Sequence, residues 1–460
     1  MSNNAKLTRG SIPGHLVSQT APMIVGVAAI MSIGLVDSYF IGQLGAQQLA
    51  AISFIFPISV ALSSLGVGIM VGINSVVARA QGAGDDDRAA RRATFGIVFA
   101  VGCGVVLGLA LYALLDPLFR LMNADDALMP FIRTYMQPYA ISFPLLLAIM
   151  GINGVLRGQG EARKTSLVSI TYAAANWVLD PILVTGALGF EGFGIVGAAY
   201  ATAIGWICGI IMAFVLLKRT PLPFDLSLLK RCDIGESAGA IMSVAGPAAF
   251  SNAINPIGLS ILTALVAIEG QAAVAGFGAA GRLQSFAVVP LLALSGAIGG
   301  IVGQNWGASK IDRARKAVLY AGIFSVGYGL AIAVLLFSFG EWFADFFTEE
   351  AAVINQFARY LTIAAWGYAG YGLLIVGNGV LNAVDRAGLA LAQSCARVFL
   401  VMLPFAWLLR GSWGADAVYG AELAANVVGG LVSAAVVWWV LKAKPEAPKN
   451  AGAPAEPEAA

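Results

Sequence analysis

The sequence has little charge. Only 11% of its 460 residues are Asp, Glu, Lys or Arg, and 59% are hydrophobic. A soluble domain averages about 25% charged and about 45–50% apolar residues, so this chain could not cover a water-exposed surface. Its net charge of +2 comes from basic residues dispersed among short loops. The composition therefore excludes an ordinary soluble protein and gives no reason to expect a nucleic-acid partner.

Residue types that carry catalysis or bind metals are also scarce. His15 is the single histidine, and the four cysteines show neither metal-ligand spacing nor a redox pair. The chain also lacks a nucleophile motif and the paired acid clusters that a membrane-embedded enzyme would need. We predict no enzymatic activity, no catalytic residue and no cofactor.

Apolar runs, by contrast, recur along the whole chain, and each is long enough to cross a bilayer of ~30 Å. Backbone groups cannot stay unpaired in lipid, so each run is predicted to be a helix. We therefore expect an all-α integral membrane protein. The twelve predicted spans cover residues 15–40, 50–78, 93–115, 131–156, 164–186, 195–217, 237–266, 275–303, 315–339, 353–381, 388–409 and 417–441.

Loop charge predicts the direction of these spans. If they alternate, 21 Lys and Arg residues fall on one side of the membrane, and only Arg120, Arg133 and Arg410 fall on the other. Basic loops stay preferentially in the cytoplasm. We predict a multi-pass protein of the plasma membrane with both termini cytoplasmic, in contact with the lipid bilayer and monomeric.

The two halves of the sequence resemble each other. "GINGVLRGQGEAR" at 151–163 matches "VGNGVLNAVDRAG" at 376–388, and other matched stretches share an offset of about 225 residues. Six spans return the chain to the same side, so the halves are parallel repeats related by a pseudo-two-fold axis along the membrane normal. This predicts two six-helix lobes that rock about a central cleft. A duplication that merely enlarged the bundle is the alternative.

The repeat sets the expected organisation of the chain. It predicts a first lobe at 1–217, a cytoplasmic linker at 218–236 and a second lobe at 237–441. Residues 442–460, rich in Ala, Pro and Glu, are predicted to be a disordered cytoplasmic tail.

One polar stretch interrupts the fifth span. "NWVLDPIL" places Asn176 and Asp180 one turn apart on the same helix face, and Pro181 is expected to kink the helix. Ionisable groups inside a span are costly and often mark a transport pathway. Counting 1.5 Å per residue puts Asp37 of the first span at a depth similar to that of Asp180.

Burial and a neighbouring carboxylate both disfavour the charged form of an acid, so Asp37 and Asp180 are candidates for binding a proton. Their oxygens could instead coordinate the metal ion Na⁺, and both could simply join helices by hydrogen bonds. The repeat places leucines at both equivalent positions of the second half. Tyr139 and Thr202 lie at a similar predicted depth.

Other intramembrane groups are less informative. Arg397 and Glu422 are expected to pair locally, although either could contact the substrate; Arg282 is a third embedded charge. Pro22 and its repeat partner Pro247 are candidate hinges.

Several motifs together resemble the MATE (multidrug and toxic compound extrusion) transporters, and the DinF-like branch most. They are "LVDSYFIGQLGAQQLAAISF" (35–54), "ARAQGAGDDDRAARRA" (78–93), "GVLRGQGEARKTS" (154–166), "NWVLDPILVTGALGFEGFGIVGAAYAT" (176–202) and "VGQNWGA" (302–308). The resemblance implies a V-shaped antiporter that exports amphipathic, often cationic, small molecules in exchange for H⁺ or Na⁺. A flippase of the same superfamily, moving a lipid-linked precursor, is the alternative, although so few embedded basic residues do not favour it.

By motif match, Asp37, Asn176 and Asp180 are the implied ion site, with Tyr139, Asn153 and Thr202 as a supporting polar network. The depth of Asn153, nearer the cytoplasmic end, counts against its membership. Pro22 and Pro181 are the implied sites of helix bending. Some MATE proteins carry acids in spans seven and ten, but this sequence has none there, since Asp385 falls at the loop end of span ten.

Overall fold

A computed structural model describes residues 5–189 and 191–442, and these contain helices and no strand. Of the tail predicted to be disordered, residues 443–460 lie outside the described residues. Lys442, its first residue, is the last residue of a helix. The helices are α1 (Ile12–Gly42), α2 (Ala46–Gly82), α3 (Asp86–Leu121), α4 (Met129–Gly158), α5 (Ala162–Leu183), α6 (Ile195–Leu217), α7 (Ile234–Ala267), α8 (Gln271–Ala287), α9 (Val289–Gly307), α10 (Ile311–Asp345), α11 (Ala351–Ala364), α12 (Tyr368–Ala383), α13 (Ala387–Cys395), α14 (Leu403–Trp413) and α15 (Ala415–Lys442).

These helices supply the twelve predicted spans. Ten spans within the described ranges are long and apolar enough to cross a membrane by themselves, and α8 with α9 makes a bent eleventh. The twelfth is α5, whose polar residues lower its hydropathy. It must nevertheless cross, because α4 ends at one face of the bundle and α6 begins at the opposite face. The chain is therefore an all-helical, twelve-span membrane protein with two lobes.

Three predicted spans are each built from two helices. The eighth bends by 42° between α8 and α9. Pro290 is in the first turn of α9, where it has no N–H to donate to the preceding helix. In the tenth, α11 and α12 are joined by a 3-10 turn, Ala365–Gly367. In the eleventh, α13 and α14 are joined by a π-helical segment, Ala396–Met402.

Pro181 does not interrupt its helix. Both Pro22 and Pro181 lie inside helices that continue without a break, and α5 ends two residues after Pro181. Pro181 has no N–H to donate to the carbonyl of Trp177, one turn earlier in α5. The role of both prolines in bending stays a prediction.

Close helix contacts hold the lobes together at one end of the bundle, which we call the basic end because the loops with most Lys and Arg lie there. Gly68 and Gly72 of α2 pack on the α7 backbone near Ala245. A β-carbon built on Gly82 would overlap the carbonyl oxygen of Gln304 in α9. Only glycine permits such an approach between backbones.

Polar contacts join the lobes at the same end. Ser75 donates to the carbonyl oxygen of Asn382 at 2.7 Å, and Arg79 pairs with Asp385 at 3.0 Å. The N-terminal segment also lies there, with the backbone N–H of Leu7 donating to Gln304 at 3.0 Å. Among the described residues, every hydrogen bond and ion pair that the structure gives between the lobes belongs to the basic end. At the far end, where α1 finishes at Gly42, the described residues have none of these ties.

Candidate functional site

A cavity of about 630 Å³ lies between the lobes. It extends from Arg157, near the basic end of α4, to Ser38 and Ile52, near the far ends of α1 and α2. Both lobes supply its wall, and Asn255 and Tyr371 are examples from the second. A space shared by two lobes that are tied together only at one end can change its opening when the lobes rotate.

Asp37 and Asp180 meet beside this cavity. Asp37, on the far half of α1, is partly exposed and lines the cavity, whereas Asp180, in the last turn of α5, is 0% exposed. Their carboxyl groups are within hydrogen-bonding reach of each other. The similar depth predicted from counting residues is thus realised as a contact.

Asn176 connects the two acids. Its Nδ2 lies 3.3 Å from Asp37 Oδ1, 3.4 Å from Asp180 Oδ1 and 3.4 Å from Thr202 Oγ1. An amide has only two N–H groups, so it cannot serve all three acceptors at once. The structure therefore brings together Asp37, Asn176, Asp180 and Thr202 as one cluster with a shared donor, and we name these four residues the acid cluster.

The acid cluster has the chemistry to hold a proton. Two carboxylates in contact repel each other, but a protonated carboxyl can donate to an ionised one. The Oδ2 of Asp180 and the Oδ1 of Asn176 are buried without a partner, so an additional donor would be accommodated there. The same oxygens could ligate Na⁺. Within the described ranges, no group of three or more His, Cys, Asp or Glu side chains forms a metal site.

Two predicted members of the network lie apart from the acid cluster. Tyr139 lines the cavity, where its ring stacks on Tyr135 at 6.2 Å and meets the edge of Trp206 at 5.3 Å. Asn153 also lines the cavity but is one turn from Arg157, toward the basic end. Neither residue has a hydrogen bond to the acid cluster in the described part of the chain.

The second lobe has no equivalent of the acid cluster. Leu262 and Leu403, the repeat partners of Asp37 and Asp180, pack in a hydrophobic cluster of that lobe. The partner of Asn153, Asn378, accepts a hydrogen bond from Gln393 at 2.6 Å. The repeat-related amide is therefore present in both lobes, whereas the two acids are present in the first lobe alone.

Arg397 and Glu422, each expected to pair locally, both have hydrogen-bond partners within the second lobe. Arg397 donates to Asn255 and Asn426 and lies over the Tyr371 ring at 5.4 Å. Glu422 instead accepts from Gln284 at 2.5 Å and from Tyr360 at 2.8 Å. Each charge is held by neutral partners. Arg282 is exposed on α8.

The 21 basic residues that the loop-charge count places on one side of the membrane include Arg157. It lies near that end, but in the last turn of α4 with its side chain on the cavity wall. Apolarity alone could not distinguish a helix end that faces water from one that faces a cavity. The aromatic residues Tyr135 and Trp206 were missed for a related reason, because aromatic residues are equally common on lipid-facing surfaces.

A comparison with protein families finds the repeat independently. The family model MatE matches residues 22–182 and again residues 247–408. These starting points are separated by the offset that the sequence motifs share.

Known proteins resemble nearly the whole chain. An FAD transporter of Shewanella oneidensis is 30% identical over 433 residues, covering 92% of this chain and 93% of the relative. The probable multidrug resistance protein YpnP of Bacillus subtilis is 28% identical over 406 residues, covering 88% of each. The multidrug export protein MepA of Staphylococcus aureus is 22% identical over 421 residues, covering 91% of each.

Solved structures share the fold. The Vibrio cholerae MATE transporter VcmN in the bent form superimposes with a TM-score of 0.89 at 28% identity, covering 96% of this chain and 98% of that chain. An outward-facing multidrug resistance MATE family transporter gives a TM-score of 0.90 at 24% identity, with coverage of 96% and 98%. The two-lobed arrangement is therefore shared with solved transporters.

Proposed function

Because the chain belongs to the MatE family of membrane transporters, we propose that it is a secondary antiporter that exports amphipathic organic compounds in exchange for protons. The single observation that carries the proposal is the contact between Asp37 and Asp180, shared through Asn176 and placed beside the interlobe cavity. The multidrug exporters among its relatives support an organic cargo.

Asp37 and Asp180 have different roles in proton binding. Asp37 reaches the cavity, so it can exchange a proton with cavity water, whereas Asp180 is enclosed behind Asn176. A proton that enters at Asp37 can be held between the carboxyl groups. Loss of the proton leaves two anions in contact, which favours a different arrangement of α1 and α5. The proton thus binds one conformation better than another, as coupling requires.

The orientation follows from the loop charges. If the basic end is cytoplasmic, the lobes are tied together on the cytoplasmic side, and the cavity extends toward the outside. This arrangement is the one expected after cargo has been carried out, when external protons can enter at Asp37. Both termini are then cytoplasmic in a plasma-membrane protein that works as a monomer.

More than one class of cargo is compatible with the proposal. Family resemblance implies that it is often cationic, while one relative is described as an FAD transporter, so a cationic dye and FAD are both candidates. Na⁺ in place of H⁺ is the alternative coupling ion. A lipid-linked precursor flippase is the alternative function, but the lining residues of the cavity include one cation, Arg157, within the described ranges. Holding a diphosphate group would favour several cations.

The direct test is transport by the purified protein in lipid vesicles, with proton and sodium gradients imposed separately. Ethidium, FAD and a fluorescent lipid-linked diphosphate serve as cargoes. Movement of ethidium or FAD driven by the proton gradient alone supports the proposal. Movement driven only by the sodium gradient would reject the proton as the coupling ion. Gradient-independent movement of the lipid alone would favour the flippase function.

A further inference from the structure

Arg157 occupies the basic end of the cavity. It lies in the last turn of α4, and its guanidinium group reaches the second lobe, since a β-carbon built on Gly296 would be 3.0 Å from Nη1. Its backbone carbonyl packs on Gly300 of the same helix, α9. The positive charge is therefore placed between the lobes, on the wall of the space that cargo would enter.

Among the described residues, Arg157 lacks the acidic partner that several other arginines have. Arg79 pairs with Asp385, Arg133 with Asp116, and Arg410 with Glu269. Among the described residues, Arg157 forms no ion pair and its guanidinium donates no hydrogen bond, and its Nε is buried without a partner. A cation removed from bulk water without a counter-charge is costly, so such a group marks a binding position.

Two amides lie on the same part of the wall. Asn153 is one turn before Arg157 and therefore shares its helix face, and Asn74 of α2 also lines the cavity. Their Oδ1 atoms are buried without partners, and among the described residues the structure gives no hydrogen bond donated by either Nδ2. A guanidinium group beside free amide donors is complementary to a phosphate or carboxylate group.

The opposite part of the cavity suits the rest of such a molecule. Tyr135, Tyr139 and Trp206 form an aromatic wall, and the acid cluster beside it would repel an anion. We propose that Arg157 binds the anionic group, a phosphate or carboxylate, of an amphipathic cargo whose apolar part lies against these rings. This inference rests on the proposed function and narrows its cargo.

The proposal is tested by comparing riboflavin with FMN, which share a ring system and differ by one phosphate. Binding to the purified full chain is measured by flavin fluorescence in phosphatidylcholine nanodiscs. The wild type should bind FMN about tenfold more tightly than riboflavin, the effect of one charge-assisted hydrogen-bonded pair. In Arg157→Gln this ratio should fall to about one, while riboflavin affinity stays unchanged.

Two variants complete the comparison. Arg157→Lys keeps the charge and should retain most of the preference for FMN. Arg120→Gln makes the same change at an exposed far-end arginine and should leave the ratio unaltered. If Arg157→Gln does not fold, as judged by size-exclusion chromatography, the wild type and Arg157→Lys decide. Failure of the wild type to prefer FMN, or loss of the preference in Arg120→Gln, would overturn the proposal.

The outcome is independent of ion coupling, because binding is measured without a gradient. An unaltered preference in Arg157→Gln would overturn the anion site while leaving proton exchange untouched. Conversely, sodium-driven transport by a wild type that prefers FMN would reject only the proton as the coupling ion. Adding phosphatidylglycerol distinguishes a lipid headgroup from a soluble cargo. FMN binding that persists supports a soluble cargo, and complete competition by the lipid would contradict it.

Discussion

At the scale of single residues, function depends on which side chains are hydrogen-bonded to each other. Asn176 stands between two carboxyl groups and a hydroxyl, each at 3.3–3.4 Å from its Nδ2. Its donation stabilises the ionised form of whichever acid it faces. The amide therefore adjusts proton binding at the acid cluster without itself gaining or losing a proton.

Replacing this amide should change the pH dependence of transport. In Asn176→Ala the carboxylates lose a donor, so they hold a proton more readily, and the pH profile of export should move toward higher pH. Export near neutral pH should fall about tenfold, as expected for one charge-assisted hydrogen bond. The measurement is proton-driven dye export from vesicles across a pH series. Asn252→Ala, which removes a cavity amide bonded to the Ala248 carbonyl, is the control and should leave the profile unchanged.

Much of the acid cluster was predictable from the sequence, and the reason is physical. Asp37 and Asp180 stand out because carboxylates inside apolar runs are rare, and helix rise alone gives their common depth. The direction in which a side chain points around its helix is not given by depth. The depth count places Asn153 nearer the basic end than the acid cluster, but it could not show that the Arg157 side chain lies on the cavity wall.

At the scale of helices, the lobes are closed by backbones that touch. Gly82 of α2 and Gly307 of α9 lie where any side chain would meet the backbone of the other lobe. Helix existence and length followed from the apolar runs. The breaks did not, because the π-helical segment Ala396–Met402 and the 3-10 turn Ala365–Gly367 depend on packing against neighbours.

The Gly82→Val substitution should open the basic end. The new side chain would overlap the Gln304 carbonyl, so the closed arrangement loses stability relative to one with separated lobes. The measurement is the maleimide labelling rate of Ser75→Cys in a chain without native cysteines, since Ser75 is only 2% exposed when the lobes are closed. Labelling should be faster with Gly82→Val. Gly102→Val, where a β-carbon meets nothing within 4 Å, should not change it, and equal rates in all three proteins would refute this role of Gly82.

At the scale of the whole molecule, the N-terminal segment links both lobes. Lys6 pairs with Glu161 of the first lobe at 2.7 Å, while Asn305 of the second lobe donates to the Leu7 carbonyl at 3.1 Å. The Leu7 side chain is 1% exposed and packs in a hydrophobic cluster with α9 residues. Separation of the lobes at this end therefore requires the segment to leave at least one of them.

The assignment of this end to the cytoplasm can be tested with Cys232, which lies just before α7. In a chain carrying Cys103→Ser, Cys208→Ser and Cys395→Ser, an impermeant maleimide should not label Cys232 in intact cells. It should label Cys232 after the membrane is made permeable. Adding Asp126→Cys, at an exposed far-end position, provides the outside control, and labelling of Cys232 in intact cells would reverse the topology.

Proton coupling by Asp37 and Asp180 is the central claim, and proton-driven export by their asparagine variants tests it most directly. Asp37→Asn and Asp180→Asn should fold, because an amide replaces a protonated carboxyl with little change of shape, and each should still bind dye. Neither should export dye from vesicles under a proton gradient, whereas Asp126→Asn should match the wild type. Export at the wild-type rate by both cluster variants would contradict the account and leave the two acids as structural hydrogen-bonding groups.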